Sequence, residues 1–383
     1  MALTQQIELL RQRIFQICAG YEDVNDSNIL RFDPVLKTSC NQVDNLYKDL
    51  GSQPTITRLE NRMNLSVIKR LRRLFVDQFI ANFNAAPEEI VLDIDSYADE
   101  THGNQEQSCF HGFHKHYIYH PVMVNEASTG FPLLLQLRAG NSHSGKGVKS
   151  LLRWLFWRLK KAFPETSIVL RGDGGFSLPE ILEICDRSNI SYVFGYARNA
   201  VLERKIALLA EQARLDFVQL GTNVQLFDDT YYQSSGWSYP RRIVMKAELN
   251  PLGSNNRFVV TNMEQEAAWI YASFYIQRAE ASENRIKELK LDIKADRLSC
   301  HSFIANQFRL FLHQAAFVLM QKIKSLLANT PLANSRIVTI REKLIKLAVR
   351  VRISARRIWI QFATSCPLKK LLTTLVPQLA KAG

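Results

Sequence analysis

The chain has 383 residues, enough for two or three domains, and its 46% hydrophobic and 22% charged content is that of an ordinary globular protein. No apolar run approaches the ~18 residues of a membrane span, and the start, Met1-Ala2-Leu3-Thr4, lacks the basic-then-apolar pattern of an export signal. Six scattered cysteines without a Cys-x-x-Cys pair argue for reduced thiols and against zinc, so a cytoplasmic protein with no membrane partner is expected.

The net charge of +13 is unevenly placed. From residue 321 onward, 13 Lys and Arg stand against one acid, Glu342, and the first 320 residues are close to neutral. Such a local excess is the footprint of a polyanion-binding end.

Residues 4–84 read as helical. Ile7, Leu10, Ile14 and Ile17 repeat at helical spacing before Gly20. Ser52-Gln53-Pro54-Thr55 starts a further helix, and Lys69, Arg70, Arg72 and Arg73 cluster later in the same region. From Glu88 the texture changes to strands at 88–95, 115–127 and 131–138, the last two joined by a Thr129-Gly130 turn. Helix 146–163, strand 167–172, helix 178–188, strand 191–197 and helix 199–213 follow. The order βββαβαβα defines an α/β fold of the ribonuclease H-like kind. Residues 215–263 read as a β insertion, helices resume at 266–292 and 301–328, and 349–353 with 358–362 alternate as two paired strands with Arg on one face. The expected organisation is a helical N-terminal region (1–86), an α/β core in two parts (87–214 and 265–330) interrupted by the insertion (215–264), and a basic β-type tail (331–383).

Three acids stand where a metal-dependent nuclease needs them. Asp95 ends Ile90-Val91-Leu92-Asp93-Ile94-Asp95, Asp173 ends Ser167-Ile168-Val169-Leu170-Arg171-Gly172-Asp173, and Glu283 lies on a helix with Lys287 and Lys290 at i+4 and i+7. Carboxylates at strand ends and on a facing helix can converge on divalent ions that cut phosphodiesters. Each also has a plainer reading: Asp93 or Asp95 as the partner of an Arg, Asp173 as turn chemistry before Gly174-Gly175, and Glu283 in i,i+4 pairs of a solvated helix.

Residues 93–108, Arg171-Gly172-Asp173-Gly174-Gly175-Phe176 and Tyr275 through Lys290 resemble the DDE transposases of bacterial insertion sequences. The branch concerned has a β insertion and a Tyr-x-x-Arg-x-x-x-Glu-x-x-x-x-x-x-Lys signature. Gly20-Tyr21-Glu22-Asp23, residues 51–55 and the tail from Ile340 to Pro367 are similar to it as well. The resemblance implies Asp95, Asp173 and Glu283 as catalytic, metal-binding acids holding two Mg²⁺ ions, with Mn²⁺ as the alternative. It implies DNA contacts by Tyr275, Arg278, Lys287 and Lys290, and an insertion aromatic, here Trp237, stacked on a flipped base. The implied partners are double-stranded DNA (terminal inverted repeats and target) and a second copy in a synaptic homodimer. The implied reaction is cut-and-paste cleavage and strand transfer; the rivals are an impaired DNA-binding relic and a nuclease without strand transfer.

One departure stands out. Four residues separate Arg278 from Glu283 where the signature has three. A π-bulge would absorb the extra residue, and Glu280 and Glu288 are the fallback acids. Relatives of this branch carry further residues ahead of the position of Leu10, so a shortened end-recognition region is expected.

Other motifs are weaker. Gly140-Asn141-Ser142-His143-Ser144-Gly145-Lys146 fits a P-loop, but Gly147 stands where magnesium would need Ser or Thr. His102 is expected as a loop histidine; histidines 111, 114, 116 and 120 crowd one stretch, but His114 and His116 share a strand face and suit exposed polar positions rather than zinc, and Trp154 and Trp157 are expected as packing residues of their helix.

Overall fold

The computed structural model describes residues 3–40, 48–354 and 357–381. The chain divides into two compact units, one drawn from Leu74–Ala98 and His120–Asn284, the other from Met1–Arg73, Asp99–Tyr119 and Arg285–Gly383.

In the first unit the β-branched runs form a nine-stranded mixed sheet. Its elements are β1 (Glu89–Ser96), β2 (Val122–Glu126), β3 (Pro132–Gln136), α1 (Val148–Ala162), β4 (Ser167–Gly172), α2 (Pro179–Arg187), β5 (Ser191–Tyr196) and α3 (Ala200–Leu220). β6 (Val224–Tyr232), β7 (Arg241–Asn250), β8 (Gly253–Ser254) and β9 (Arg257–Thr261) complete it. β1 lies between antiparallel β2 and parallel β4, β3 flanks β2, and β5 runs parallel to β4. Strands in such a centre are covered on both faces, which is why Ile90, Leu92, Ile94, Val169 and Leu170 read as near-continuous apolar runs. Helix α1 buries Val148, Leu152, Leu155, Phe156 and Leu159 on one stripe. Trp157, expected to pack, is instead 56% exposed, with Lys161 Nζ 5.3 Å from its ring centroid.

Element bounds differ from expectation at residues 115–127 and at the end of α3. The strand expected over 115–127 is broken: His116–Tyr119 pairs in a separate three-stranded sheet, while Val122–Glu126 joins the main one. Pro121, which has no N–H for a ladder, sits at the break. The β segments from Val224 onward extend the main sheet: β9 pairs antiparallel with β5, and β7 pairs with both β9 and β6. Helix α3 also runs on to Leu220, capped by Asn199 at one end and by Gly221 at φ +69° at the other. Its last turns carry Leu215, Val218 and Leu220 exposed, so no buried periodicity marked them in the sequence.

The second unit is mainly helical. The helix Phe303–Leu326 is buried along much of its length and packs against Leu3–Cys18. Glu60 accepts from Arg13 and Arg309, all three buried. The expected basic ribbon forms as Val349–Ser354 paired with Arg357–Phe362, with Arg350 and Arg352 exposed. Among the described residues no helix is long and apolar enough to cross a membrane.

His313 lies at the centre of this core. Its Nδ1–H donates to the Ile293 carbonyl at 2.9 Å, which leaves Nε2 bare and buried. Burial, reinforced by the charges of Arg13 and Arg309, lowers its pKa to about 3. A depressed histidine contributes stability that is present above its unfolded value of about 6.5 and is lost as pH falls towards 3. Unfolding free energy should therefore drop by up to about 1.4 kcal/mol per pH unit in that window. His313→Gln should flatten this slope, as measured by urea denaturation between pH 4 and pH 7.

Candidate active site

Parallel pairing of β1 with β4, in the register Asp93↔Arg171 and Ile94↔Gly172, brings the carboxyl ends of both strands to one edge of the sheet. Asp95 is the penultimate residue of β1, and Asp173 is the first residue beyond β4. Asp93 faces the same way as Asp95 but serves the scaffold. It is fully buried and held by Arg171 through Nε–Oδ1 at 2.8 Å and Nη2–Oδ2 at 3.1 Å. The remaining Nη1 of Arg171 donates to the Phe274 carbonyl at 2.7 Å, which ties the helical segment beyond residue 269 to the strand.

Asp173 caps a one-turn 3-10 helix, Gly174–Phe176, its Oδ1 accepting from Gly175 N at 2.9 Å. The chain is tight here. A Cβ on Gly172 would come within 2.8 Å of Ile94, and one on Gly195 within 2.8 Å of the Tyr275 hydroxyl. Glycine at both places lets the second acid and Tyr275 approach the strand ends.

The third contributor is the helical segment after β9: a π-type turn (Trp269–Tyr275), then the regular helix α4 (Ile276–Lys287), then a second π-type turn (Glu288–Asp292). The inward stripe of α4 carries Arg278 and Ser282, one turn apart, with Tyr275 just before them. Ser282 is fully buried, and its hydroxyl donates to Asp95 Oδ2 at 3.0 Å; Arg278 Nη1 meets the same oxygen at 3.4 Å. Asp95 Oδ1 accepts from the Ser96 amide at 2.8 Å. Burial raises the pKa of the Asp95 carboxyl, Arg278 opposes that, and the nearby charge of Asp173 adds to it. Tyr275 is likewise raised, chiefly by burial, with the Arg278 guanidinium 5.6 Å from its ring centroid.

Asp95, Asp173, Tyr275 and Arg278 are thus together. Glu283 is not on the inward stripe: it is exposed, one residue or about 100° around α4 from Ser282. The two π-type turns lie outside the interval between Arg278 and Glu283, so the extra residue is not absorbed there. Among the described residues no three His, Cys, Asp or Glu side chains gather as a metal site. Two donors for a divalent ion are in place and the third is not, so the residues as they stand do not fit a three-carboxylate metal centre.

The side chain of Glu280 lies outside the described residues. Glu288 accepts from Lys324 at 2.6 Å and Gln321 at 3.0 Å, contacts internal to the second unit. Lys287 and Lys290 belong to that unit too, Lys287 exposed and Lys290 half-buried. The P-loop-like turn is organised by its carbonyls: the Arg138 guanidinium, largely buried, donates to His120, His143 and Lys146 oxygens. Its neighbour on the acid side is Ser96, bonded to Ser144 at 3.4 Å.

Trp237 is 5% exposed, its ring packed against Tyr196 (5.2 Å) and Tyr232 (5.8 Å), with Arg241 5.9 Å from its centroid. The three rings form a small aromatic cluster beneath the insertion strands. Trp237→Ala should destabilise the protein by about 3 kcal/mol in thermal or urea unfolding, while leaving DNA-end affinity in a mobility-shift assay unchanged.

Ser282 is the residue that sequence reading missed. Its only signal was arithmetic: it is the position four after Arg278, where a regular helix puts the next side chain on that face.

No curated protein matches the chain. Among solved structures, the cryo-EM piggyBac transposase synaptic complex with hairpin DNA is similar at 12% identity and a TM-score of 0.42, covering 97% of this chain and 83% of that one. A family pattern described as "Transposase DDE domain group 1" matches residues 2–383. The chain therefore belongs to that family and is a DDE transposase, an enzyme of the DNA-cleaving and strand-transferring class.

Proposed function

We propose that this transposase cuts and pastes an insertion sequence, with Asp95, Asp173 and Glu283 as its catalytic acids. The observation that carries the reading is the meeting of Asp95 and Asp173 at neighbouring parallel strand ends, beside Tyr275 and Arg278, in a chain of this family. The order β1–β3, α1, β4, α2, β5, α3, with β1 central, supports a ribonuclease H-like core. In this reading residues 1–86 bind DNA ends and a second copy, 87–214 and 265–330 form the catalytic core around the 215–264 insertion, and 331–383 supply the basic tail.

The partners are the terminal inverted repeats, target DNA and a second protomer, in the cytoplasm. Divalent ions are the cofactor class of DDE transposases, and Mg²⁺ is the ion we assign, with Mn²⁺ in its place as the alternative. Asp95 and Asp173 are the donors this chain already brings together. Arg278 pairs with Asp95, while Lys287, Lys290 and the basic tail hold phosphates, which makes end binding steeply salt-dependent. Trp237 supports the insertion strands from inside rather than meeting a base.

Incubating the protein with its element's terminal repeats and Mg²⁺ should yield cleaved ends and joined products. End binding without nicking would favour a second reading, a relic that occupies ends, to which the Ser282–Asp95 contact lends support. Nicking without joining would leave a nuclease.

A further inference from the structure

We infer that one residue of register in α4 separates a metal-excluding arrangement of this site from a three-carboxylate one, and that Ser282 is the residue holding it closed. The inference rests on the acid reading proposed above and adds a state of that same site. It concerns the DNA-free chain.

The geometry is local. Asp95 Oδ2, the oxygen facing α4, is engaged by Ser282 Oγ at 3.0 Å and by Arg278 at 3.4 Å. A hydroxyl donating to a carboxylate competes with a cation for the same lone pairs, and the guanidinium supplies the positive charge an ion would bring. The position on α4 that a third donor must occupy is the one Ser282 fills, buried and aimed at the acid. Glu283 carries the required carboxylate on the adjacent, exposed line of the helix.

A π-type turn holds one residue more than an α turn, so moving it along a helix rotates only the residues it passes. Such a turn stands at Glu288–Asp292. Shifting it to the interval before Glu283 would rotate residues 283–287 by about 100° and leave Tyr275 and Arg278 where they are. Glu283 would then take the line now held by Ser282. The site closes with Ser282 and opens with Glu283.

The test is Mn²⁺ binding to the full, DNA-free chain by titration calorimetry, with thermal unfolding as the check on folding. Ser282→Glu places a carboxylate on the inward line without moving the register, and should bind Mn²⁺ about tenfold more tightly than the parent chain, since affinity follows the number of charged ligands. Should a buried Glu there prevent folding, deletion of Ala281 brings Glu283 onto the same line and should give the same gain. Glu283→Gln in the parent register should leave Mn²⁺ affinity unchanged. Parent and Ser282→Glu chains of equal affinity, or loss of parent binding in Glu283→Gln, would overturn the inference, because Glu283 would already reach the acids. The proposed acids fail separately: a tenfold gain in Ser282→Glu that persists when Asp95→Asn is added would show that the ion binds elsewhere.

Discussion

Asp173→Asn should lower DNA cleavage by about 10³-fold or more while end binding and folding stay near those of the parent. The expectation comes from what each oxygen does. Oδ1 accepts from the Gly175 amide and starts the 3-10 turn, and an asparagine oxygen can accept the same bond. The change therefore removes charge and leaves shape. Without that charge the strand-end pair loses one of its two anionic donors, and Asp95 is relieved of the repulsion that helps raise its pKa. Cleavage of labelled terminal-repeat duplex, mobility shift on the same duplex and thermal unfolding measure the three quantities. Normal cutting by the variant would end the acid assignment; loss of binding together with cutting would point to a damaged turn instead.

Arg171→Met should destabilise the protein by about 3–5 kcal/mol, read by urea denaturation. The guanidinium is buried and satisfies both oxygens of Asp93, itself fully buried, and the Phe274 carbonyl. Removing it strands a carboxylate away from water, the costliest way to break such a pair. Adding Asp93→Leu should recover most of the loss, because a buried pair replaced by apolar groups of similar volume is often near neutral. A single variant within 1 kcal/mol of the parent would mean that water reaches Asp93. The pair also has a positional consequence. Arg171 is two residues before Asp173 and bonded to the carbonyl preceding Tyr275, so the double variant, though stable, should cut more slowly.

Much of this was legible in the residues. Leu92, Ile94, Val169 and Leu170 alternate or run on as apolar strands because they sit at the centre of a sheet covered on both sides. That burial is written into neighbouring residues, so strand ends and the acids at them could be read directly. Helix α1 announced itself through the same locality. Trp237 did not, since an aromatic in a turn-rich stretch suits a stacking surface and a small core equally; only its contacts with Tyr196 and Tyr232 distinguish them. The strands between residues 224 and 261 fall within the stretch read as β-type, whose first residues to Leu220 are helical, yet β9 against β5 is a pairing across some sixty residues that no local pattern encodes.

The sequence by itself determined the family, the two strand-end aspartates and the alternating order of strands and helices, because each depends on short stretches of chain. The tertiary structure decided which side chain of α4 faces Asp95. Helical phase is fixed by where the segment is anchored, here by Arg171 reaching the Phe274 carbonyl from another strand, and from that anchor every later residue turns by a set angle. Ser282 arrives at the acid and Glu283 does not.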